Sequence, residues 1–369
     1  MRKLRFVHFL FYVLFIFTII SCEKDDAGSF ISPGSISSWQ TAPPETQSLN
    51  GTYFVSMITH VNSGEFGNIK SILIARNNYL VFEKYFNGAE RDQLHILYSV
   101  TKSVTSVAMG IAITKKNNFT VDGEISNYFP GYSSYFDSLK SQITIKNVLT
   151  MSAGFQWNEL SIPYSDPNND FNKMFASSDE IGYVLQKNVV NTPGTKFTYN
   201  TGLPLLQSVI LASSTGMSVD EYTNQTLFEK LGISDWSWNS FPDGVTNTGS
   251  GLSLRPIDLA LIGQLLLNNG IWNGEQVVTQ EWIDESTQNS INVNPYYNYG
   301  YYWWRFSDSN PVISKLPVNN LFFGWGYSDQ FLFVVPVYNM LIVITADNNE
   351  NDFPVFDILK DYIFQAVKD

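Results

Sequence analysis

Residues 98–103 read Tyr98-Ser99-Val100-Thr101-Lys102-Ser103, and from there Val100, Val104, Val107, Ala108, Ile111 and Ala112 recur with a period of 3.6. The pattern predicts a helix that starts at Ser99 and lays one apolar face on a core. A serine in the first turn sits at the positive end of the helix dipole. Lys102, three residues on, shares its face, so the amine can reach the serine hydroxyl. Apolar surroundings would lower the lysine from its ordinary value of about 10.4 towards neutrality and make it a usable base. The same residues also fit an N-capping serine followed by a solvated lysine. Spacing does not separate the two readings, since Ser21-Cys22-Glu23-Lys24 has the same form and no site-like surroundings.

Outward from this helix, the flanking segments read as strands. Ile72-Leu73-Ile74-Ala75 and Tyr79-Leu80-Val81-Phe82, joined by Arg76-Asn77-Asn78, predict a hairpin. Near the C-terminus, Phe331 to Val335 and Met340 to Ala346 predict two buried strands around Pro336-Val337-Tyr338-Asn339, followed by a helix from about Asp357 to Val367. Between the two ends, Pro256 opens a helix (Ile257 to Leu267) that Asn268-Asn269-Gly270 closes. Strands at both ends with helices between imply an α/β domain over residues 51–369, whose sheet joins the two termini.

The chain has 369 residues, 15% aromatic and 15% charged, which argues against disorder and coiled coil. Lys+Arg number 22 against Asp+Glu 34, and the net charge of -12 is a poor fit to nucleic-acid binding. A single cysteine, Cys22, excludes an intrachain disulfide, and three histidines (His8, His60, His95) leave few candidates for a Ser-His-Asp base or a His-rich metal site.

Arg2, Lys3 and Arg5 precede an apolar run from Phe6 to Ile20, which reads as a signal peptide over residues 1–21 and is short for a membrane span. The run ends in Ile19-Ile20-Ser21-Cys22 and resembles the lipobox of bacterial lipoproteins, in which the cysteine is lipidated; ordinary cleavage beside an incidental Cys22 is the alternative. Residues 22–50, rich in Ser, Pro and acidic groups, predict a flexible tether. The start Glu23-Lys24-Asp25-Asp26 resembles the export signal of surface lipoproteins in Bacteroidetes-type bacteria. The expected location is therefore the cell envelope, with the protein lipid-anchored to the outer membrane and facing the periplasm or the outside.

Several stretches follow the Ser99 motif in order: Val121-Asp122-Gly123-Glu124, Tyr128-Phe129-Pro130, Ile143 to Gly154, Pro193-Gly194-Thr195-Lys196-Phe197-Thr198-Tyr199-Asn200-Thr201, Gly251 to Ala260, and Asn269-Gly270-Ile271-Trp272-Asn273-Gly274. As a set over about residues 50–365 they resemble the serine β-lactamase and penicillin-binding-protein-like hydrolases, nearest the class C-related esterases, D-amino-acid peptidases and aminohexanoate-oligomer hydrolases. The resemblance implies a β-lactamase/transpeptidase-like fold, an antiparallel sheet flanked by helices plus a helical subdomain, and no cofactor. It implies Ser99 as the acylated nucleophile and Lys102 as its base. Tyr199 takes the place of the Y-x-N tyrosine that shuttles a proton, a task that would require Lys102 to lower its pKa. Otherwise it is a buried tyrosine. The third position of that motif is Thr201, with Asn200 one place early, so the resemblance implies that the substrate-orienting amide is either lost or displaced.

The third family motif matches Gly326-Tyr327-Ser328-Asp329-Gln330, where many relatives read G-[YH]-G-G-Q. Tyr327 takes the Lys/His position and Asp329 that of a glycine. By this analogy the backbone N–H groups of Ser99 and Gln330 form an oxyanion hole, and Tyr327, Ser328 and Asp329 join Asn200 and Thr201 in holding substrate. An edge strand with ordinary turn residues is the alternative. Asp329 would add negative charge beside the substrate and disfavour β-lactams. His95 reads as packing, and Trp303-Trp304 with the tyrosines from Tyr296 to Tyr302 read as core or rim, or as a sugar or peptide cleft. Two functions remain open. One is a membrane-tethered serine hydrolase of small esters, amides or peptides. The other is a catalytically attenuated lipoprotein of the same fold that binds a glycan or peptide.

Overall fold

The computed structural model describes residues 39–115, 119–313, 320–348 and 354–368. The signal-like run, Cys22 and the tether up to residue 38 lie outside them. Asn77 (φ 53°) and Asn78 (φ 68°) both take the left-handed conformation that a two-residue hairpin turn requires, and they join Ile69–Arg76 to Tyr79–Tyr85. Among the described residues the main sheet has nine strands. Their spatial order is Gln40–Thr41, Tyr79–Tyr85, Ile69–Arg76, Met340–Ala346, Gln330–Val335, Phe322–Gly326, Trp304–Phe306, Tyr297–Tyr299 and Ile291–Asn294. Every pairing is antiparallel except that of Gln40–Thr41, which runs parallel to Tyr79–Tyr85 and makes the sheet mixed. The two ends of the chain thus meet at the centre of the sheet, as their strand patterns imply.

Both faces of this sheet are covered, which is why Phe331 to Val335 is apolar without alternation. Phe331 and Phe333 face the C-terminal segment, with ring centroids 5.4 and 6.4 Å from Phe356. Leu332 faces the helix Pro256–Leu267, where Gly263 allows close approach: a Cβ there would lie 2.8 Å from Leu332 Cδ1. The C-terminal helix is shorter than its periodicity suggests, a turn of α-helix over Val355–Ile358 running into a π-type turn over Leu359–Ile363.

Among the described residues, packing against the domain already includes Trp39 and the stretch up to Asn50. Leu49 is fully buried and bridges to Val367, and Arg76 Nη1 donates to the Ser48 carbonyl at 2.9 Å. The stretch lacks periodicity because it packs as a strap of short pieces, not as a helix or a long strand.

The helix at the serine motif spans Val100–Lys115, and Val100 through Ala112 are buried on every side rather than along one stripe. The reason is its place between the sheet and a second buried helix, Gly202–Thr215. Its polar residues find partners inside: Ser103 Oγ donates to Tyr302 O at 2.8 Å, and Thr101 Oγ1 accepts from Leu252 N at 3.2 Å. Residues between the serine helix and Pro256 form the helical part of the fold, with a small sheet in which His95–Ile96 and Trp236–Trp238 flank Leu252–Leu254.

Glycines seat the serine helix on the strand Phe322–Gly326. A Cβ on Gly324 would come within 2.8 Å of Ser103 Oγ, and one on Gly326 within 2.4 Å of the Leu97 carbonyl. Phe323 and Trp325, on the opposite side, pack on Phe356. Gly326→Ala is therefore expected to displace the backbone that leads into Ser99 and to destabilise the fold by about 1–3 kcal/mol. Urea unfolding checks the stability, and a Ser99-directed probe should label the variant more slowly than wild type.

Candidate active site

Tyr98 carries a positive φ of 44°, uncommon for a residue with a side chain, and this turn delivers Ser99 to the start of the helix. Lys102 lies one turn on and only 1% exposed. Its Nζ stands 2.8 Å from Ser99 Oγ, 2.8 Å from the Gly249 carbonyl and 3.2 Å from Thr201 Oγ1. Burial lowers its pKa to about 7, against an opposing pull from Glu159. A buried amine whose partners are neutral oxygens is not a solvated lysine, and that reading of the motif falls. At neutral pH much of Lys102 is uncharged and can take a proton from the adjacent hydroxyl.

Tyr199 completes the group. It shares a hydrogen bond with Ser99, and its ring lies 5.1 Å from Lys102 Nζ and stacks on Trp304 at 6.1 Å. The requirement that Lys102 lower the tyrosine pKa is not met. Burial raises it above the ordinary value, and Glu159 adds to the rise. Tyr199 therefore stands as a protonated phenol at neutral pH, a donor rather than a base.

Ser99 and Tyr199 open into a cavity of about 560 Å³. Tyr164, Tyr297, Trp304, Trp325 and Tyr327 supply aromatic wall, and Tyr327, Ser328 and Asp329 close one end. No Lys or Arg lines it among the described residues. A nucleophile, a base held neutral by burial and a phenolic donor at the mouth of a largely apolar cavity can open a carbonyl substrate by acyl transfer.

A family model for Beta-lactamase matches residues 70–365, and this span contains the whole constellation. The chain belongs to the Beta-lactamase family. It is 24% identical over 225 residues to a 6-aminohexanoate-dimer hydrolase of Paenarthrobacter ureafaciens, an alignment covering 58% of this chain and 56% of that protein. The chain thus spans about half the length of the curated relatives it matches. In three dimensions it is similar to a candidate 6-aminohexanoate-dimer hydrolase from Bacillus anthracis, with a TM-score of 0.73, 19% identity, and coverage of 90% and 88% of the two chains. A penicillin-binding protein from Bacillus halodurans superposes with a TM-score of 0.63 at 14% identity, over 82% of this chain and 99% of the other. The fold is the β-lactamase/transpeptidase-like one that the motif series implies, and the family is one of hydrolases.

The expected substrate contacts divide. Tyr327, Ser328 and Asp329 line the cavity, whereas Asn200 and Thr201 are buried and do not line it. Asn200 is 1% exposed and its Oδ1 accepts from the Gly202 N–H at the start of a helix, so it organises backbone and does not face substrate. Thr201 is likewise buried and turned to Lys102, not to the cavity. Gln330 is buried, and its side chain bonds Tyr327 O, Ser328 O and Ala346 O, stapling the turn that carries Ser328 (φ 58°) and Asp329 (φ 67°). Both angles lie in the left-handed region that glycine adopts most easily. The carboxylate of Asp329, expected to face substrate, is turned inward, where Oδ2 accepts from Asn348 Nδ2 at 2.9 Å. Trp303 belongs to the core, while Trp304 and Tyr297 reach the cavity. His95 pairs with Leu254 in the small sheet, and burial lowers its pKa.

Sequence reasoning missed Glu159. It is 2% exposed, lines the cavity and accepts hydrogen bonds from Thr201, Trp157 and Tyr164. Only the acidic residue in Gly154-Phe155-Gln156-Trp157-Asn158-Glu159 signals it, and its partner Thr201 lies 42 positions away.

Reactivity of Ser99 should follow the neutral fraction of Lys102. Protonation below its pKa removes the acceptor, so the rate of labelling by a fluorophosphonate should be level above about 7 and fall towards tenfold per pH unit below it. In Lys102→Ala the plateau should drop by roughly 10²- to 10⁴-fold and this acid limb should vanish. A pH series of labelling rates by intact-protein mass spectrometry reads both.

Proposed function

We propose that this protein is a serine hydrolase that forms an acyl-enzyme on Ser99 and cleaves a small, uncharged ester, amide or peptide. The observation that carries the reading is the 2.8 Å contact between Ser99 Oγ and a lysine amine held near neutrality by burial. Ser99 Oγ attacks the substrate carbonyl while its proton passes to Lys102 Nζ. The bond to the leaving group then breaks as that group takes a proton through Tyr199. Water repeats the sequence on the acyl-enzyme, releasing the acid and restoring Ser99. The backbone N–H groups of Ser99 and Gln330 are the proposed donors to the tetrahedral oxygen.

The lining supports an uncharged substrate. No Lys or Arg among the described lining residues would meet a carboxylate. The reading of an attenuated binding protein rested on the departures at Thr201 and Asp329. It loses support, since Thr201 engages Lys102 and Asp329 is bonded to Asn348.

A fluorophosphonate should modify Ser99 alone, mapped by tandem mass spectrometry, and Ser99→Ala should not be labelled. Across p-nitrophenyl esters, D-amino-acid peptides and nitrocefin, neutral esters should turn over at least about tenfold faster than the carboxylate-bearing nitrocefin, on the scale of one lost charge-assisted hydrogen bond. Labelling that persists in Ser99→Ala overturns the assignment.

For location, we propose a lipid anchor on Cys22 at the outer membrane, supported by the signal-like run before it. An alkyne fatty acid fed to expressing cells should mark wild type and not Cys22→Ser.

A further inference from the structure

Glu159 does not touch Ser99 or Lys102, yet it sits at the end of a chain of hydrogen bonds that begins at the serine. Thr201 Oγ1 lies 2.6 Å from Glu159 Oε1, and the Thr201 N–H donates to Oε2 at 2.8 Å. Trp157 Nε1 donates to Oε2 at 2.8 Å and Tyr164 OH to Oε1 at 2.8 Å. A carboxylate only accepts, so the single hydrogen of the Thr201 hydroxyl is committed to Glu159. Towards Lys102, 3.2 Å away, that oxygen can then only accept. The Gly249 carbonyl, 2.8 Å from the same amine, can only accept as well. A neutral amine has two hydrogens and one lone pair, and these two acceptors take both hydrogens. Its lone pair is left for the remaining hydrogen-bond neighbour among the described residues, Ser99 Oγ at 2.8 Å.

We infer that Glu159 is a positioning residue that fixes the direction of the Ser99–Lys102–Thr201 hydrogen-bond chain, so that the lone pair of the neutral lysine points at the serine hydroxyl. The inference rests on the acyl-enzyme reading of Ser99. It gives the carboxylate a task that packing does not require. A buried side chain there needs only to satisfy the two fixed N–H donors, whereas the second oxygen sets the polarity of a hydroxyl that could otherwise turn either way.

Glu159→Gln separates the two roles because it keeps the shape. The carbonyl oxygen of the introduced amide must face the fixed donors Thr201 N and Trp157 Nε1, which places its NH₂ against Thr201 Oγ1 and Tyr164 OH. The Thr201 hydroxyl then accepts from that NH₂ and turns its hydrogen onto Lys102 Nζ, capping the lone pair. Glu159 is also the charged group that holds the lysine pKa up against burial; Ser99, Thr201 and Gly249 are neutral, and Tyr199 is protonated. Removing that charge should move the acid limb of Ser99 reactivity to lower pH, even as the plateau falls. A site that had merely loosened would admit water and move the limb upward, towards an ordinary lysine.

The test is the pH dependence of Ser99 labelling by a fluorophosphonate, resolved into kinact and KI, in the full chain. Expected for Glu159→Gln is a plateau kinact lower by about 10²-fold, most of what a general base contributes, with KI changed less than about threefold and the limb shifted down. Thr201→Val should lose a similar factor and Thr201→Ser should restore it; this pair decides the matter if thermal unfolding shows that Glu159→Gln does not fold. Wild-type labelling at Ser99 with a Glu159→Gln plateau within about threefold overturns this inference alone, as does an upward limb or equal loss in both Thr201 variants. No labelling of wild type at Ser99 overturns the acyl-enzyme reading and this inference with it.

Discussion

The amine of Lys102 is taken out of water between its own helix, the Gly249 carbonyl and the Thr201 hydroxyl, and most of the site follows from what that burial demands. An ammonium ion in such a place costs several kcal/mol unless paired, and among the described residues no carboxylate touches it directly. The group responds by shedding its charge near neutral pH, which turns a structural cost into a base. The two oxygens that satisfy the amine come from segments far apart in the chain. The helical region between the serine helix and Pro256 must therefore fold against the sheet before the lysine has any function. Tyr199 obeys the same constraint with the opposite outcome, since burial keeps its phenol protonated.

The location of Ser99 depends on how closely a helix can lie on a strand. Gly324 and Gly326 present no side chain to the serine helix, while the alternating Phe323 and Trp325 build the opposite layer around Phe356. The same strand ends in the turn that closes the cavity. Gln330 holds that turn through three backbone carbonyls, and Asn348 engages Asp329 from the neighbouring strand end. The non-glycine residues at Ser328 and Asp329 are accommodated because the turn is held by side chains rather than by glycine freedom alone.

Two departures from the family pattern take on different meanings once their surroundings are known. Thr201 replaces an amide with a hydroxyl, a group that can be either donor or acceptor, and its direction is therefore set by the next residue outward. Asp329 places a carboxylate where the family motif implies glycine, and although the residue lines the cavity its Oδ2 is held by Asn348. In both cases the side chain's partner, not its identity, decides what it does to a substrate.

Much of the architecture was legible along the chain because it rests on local rules. The hairpin at Asn77-Asn78, the proline-initiated helix at Pro256 and the C-terminal strands are set by turn chemistry and period. The S-x-x-K spacing likewise places serine and lysine on one helix face whatever surrounds them. Contacts between distant segments were not legible. Periodicity showed one apolar stripe on the serine helix, where packing buries every side of it, and the loose composition of residues 39–50 hid a strap that pairs with Val367. Nor could the sequence alone tell a solvated Lys102 from a buried one, or connect Glu159 to Thr201, because charge state and hydrogen-bond direction depend on the groups that tertiary structure brings within 3 Å of each other. The sequence by itself determined the elements, the family and the residues available for chemistry; the fold decided which of them are dry, which are neutral and which way their protons point.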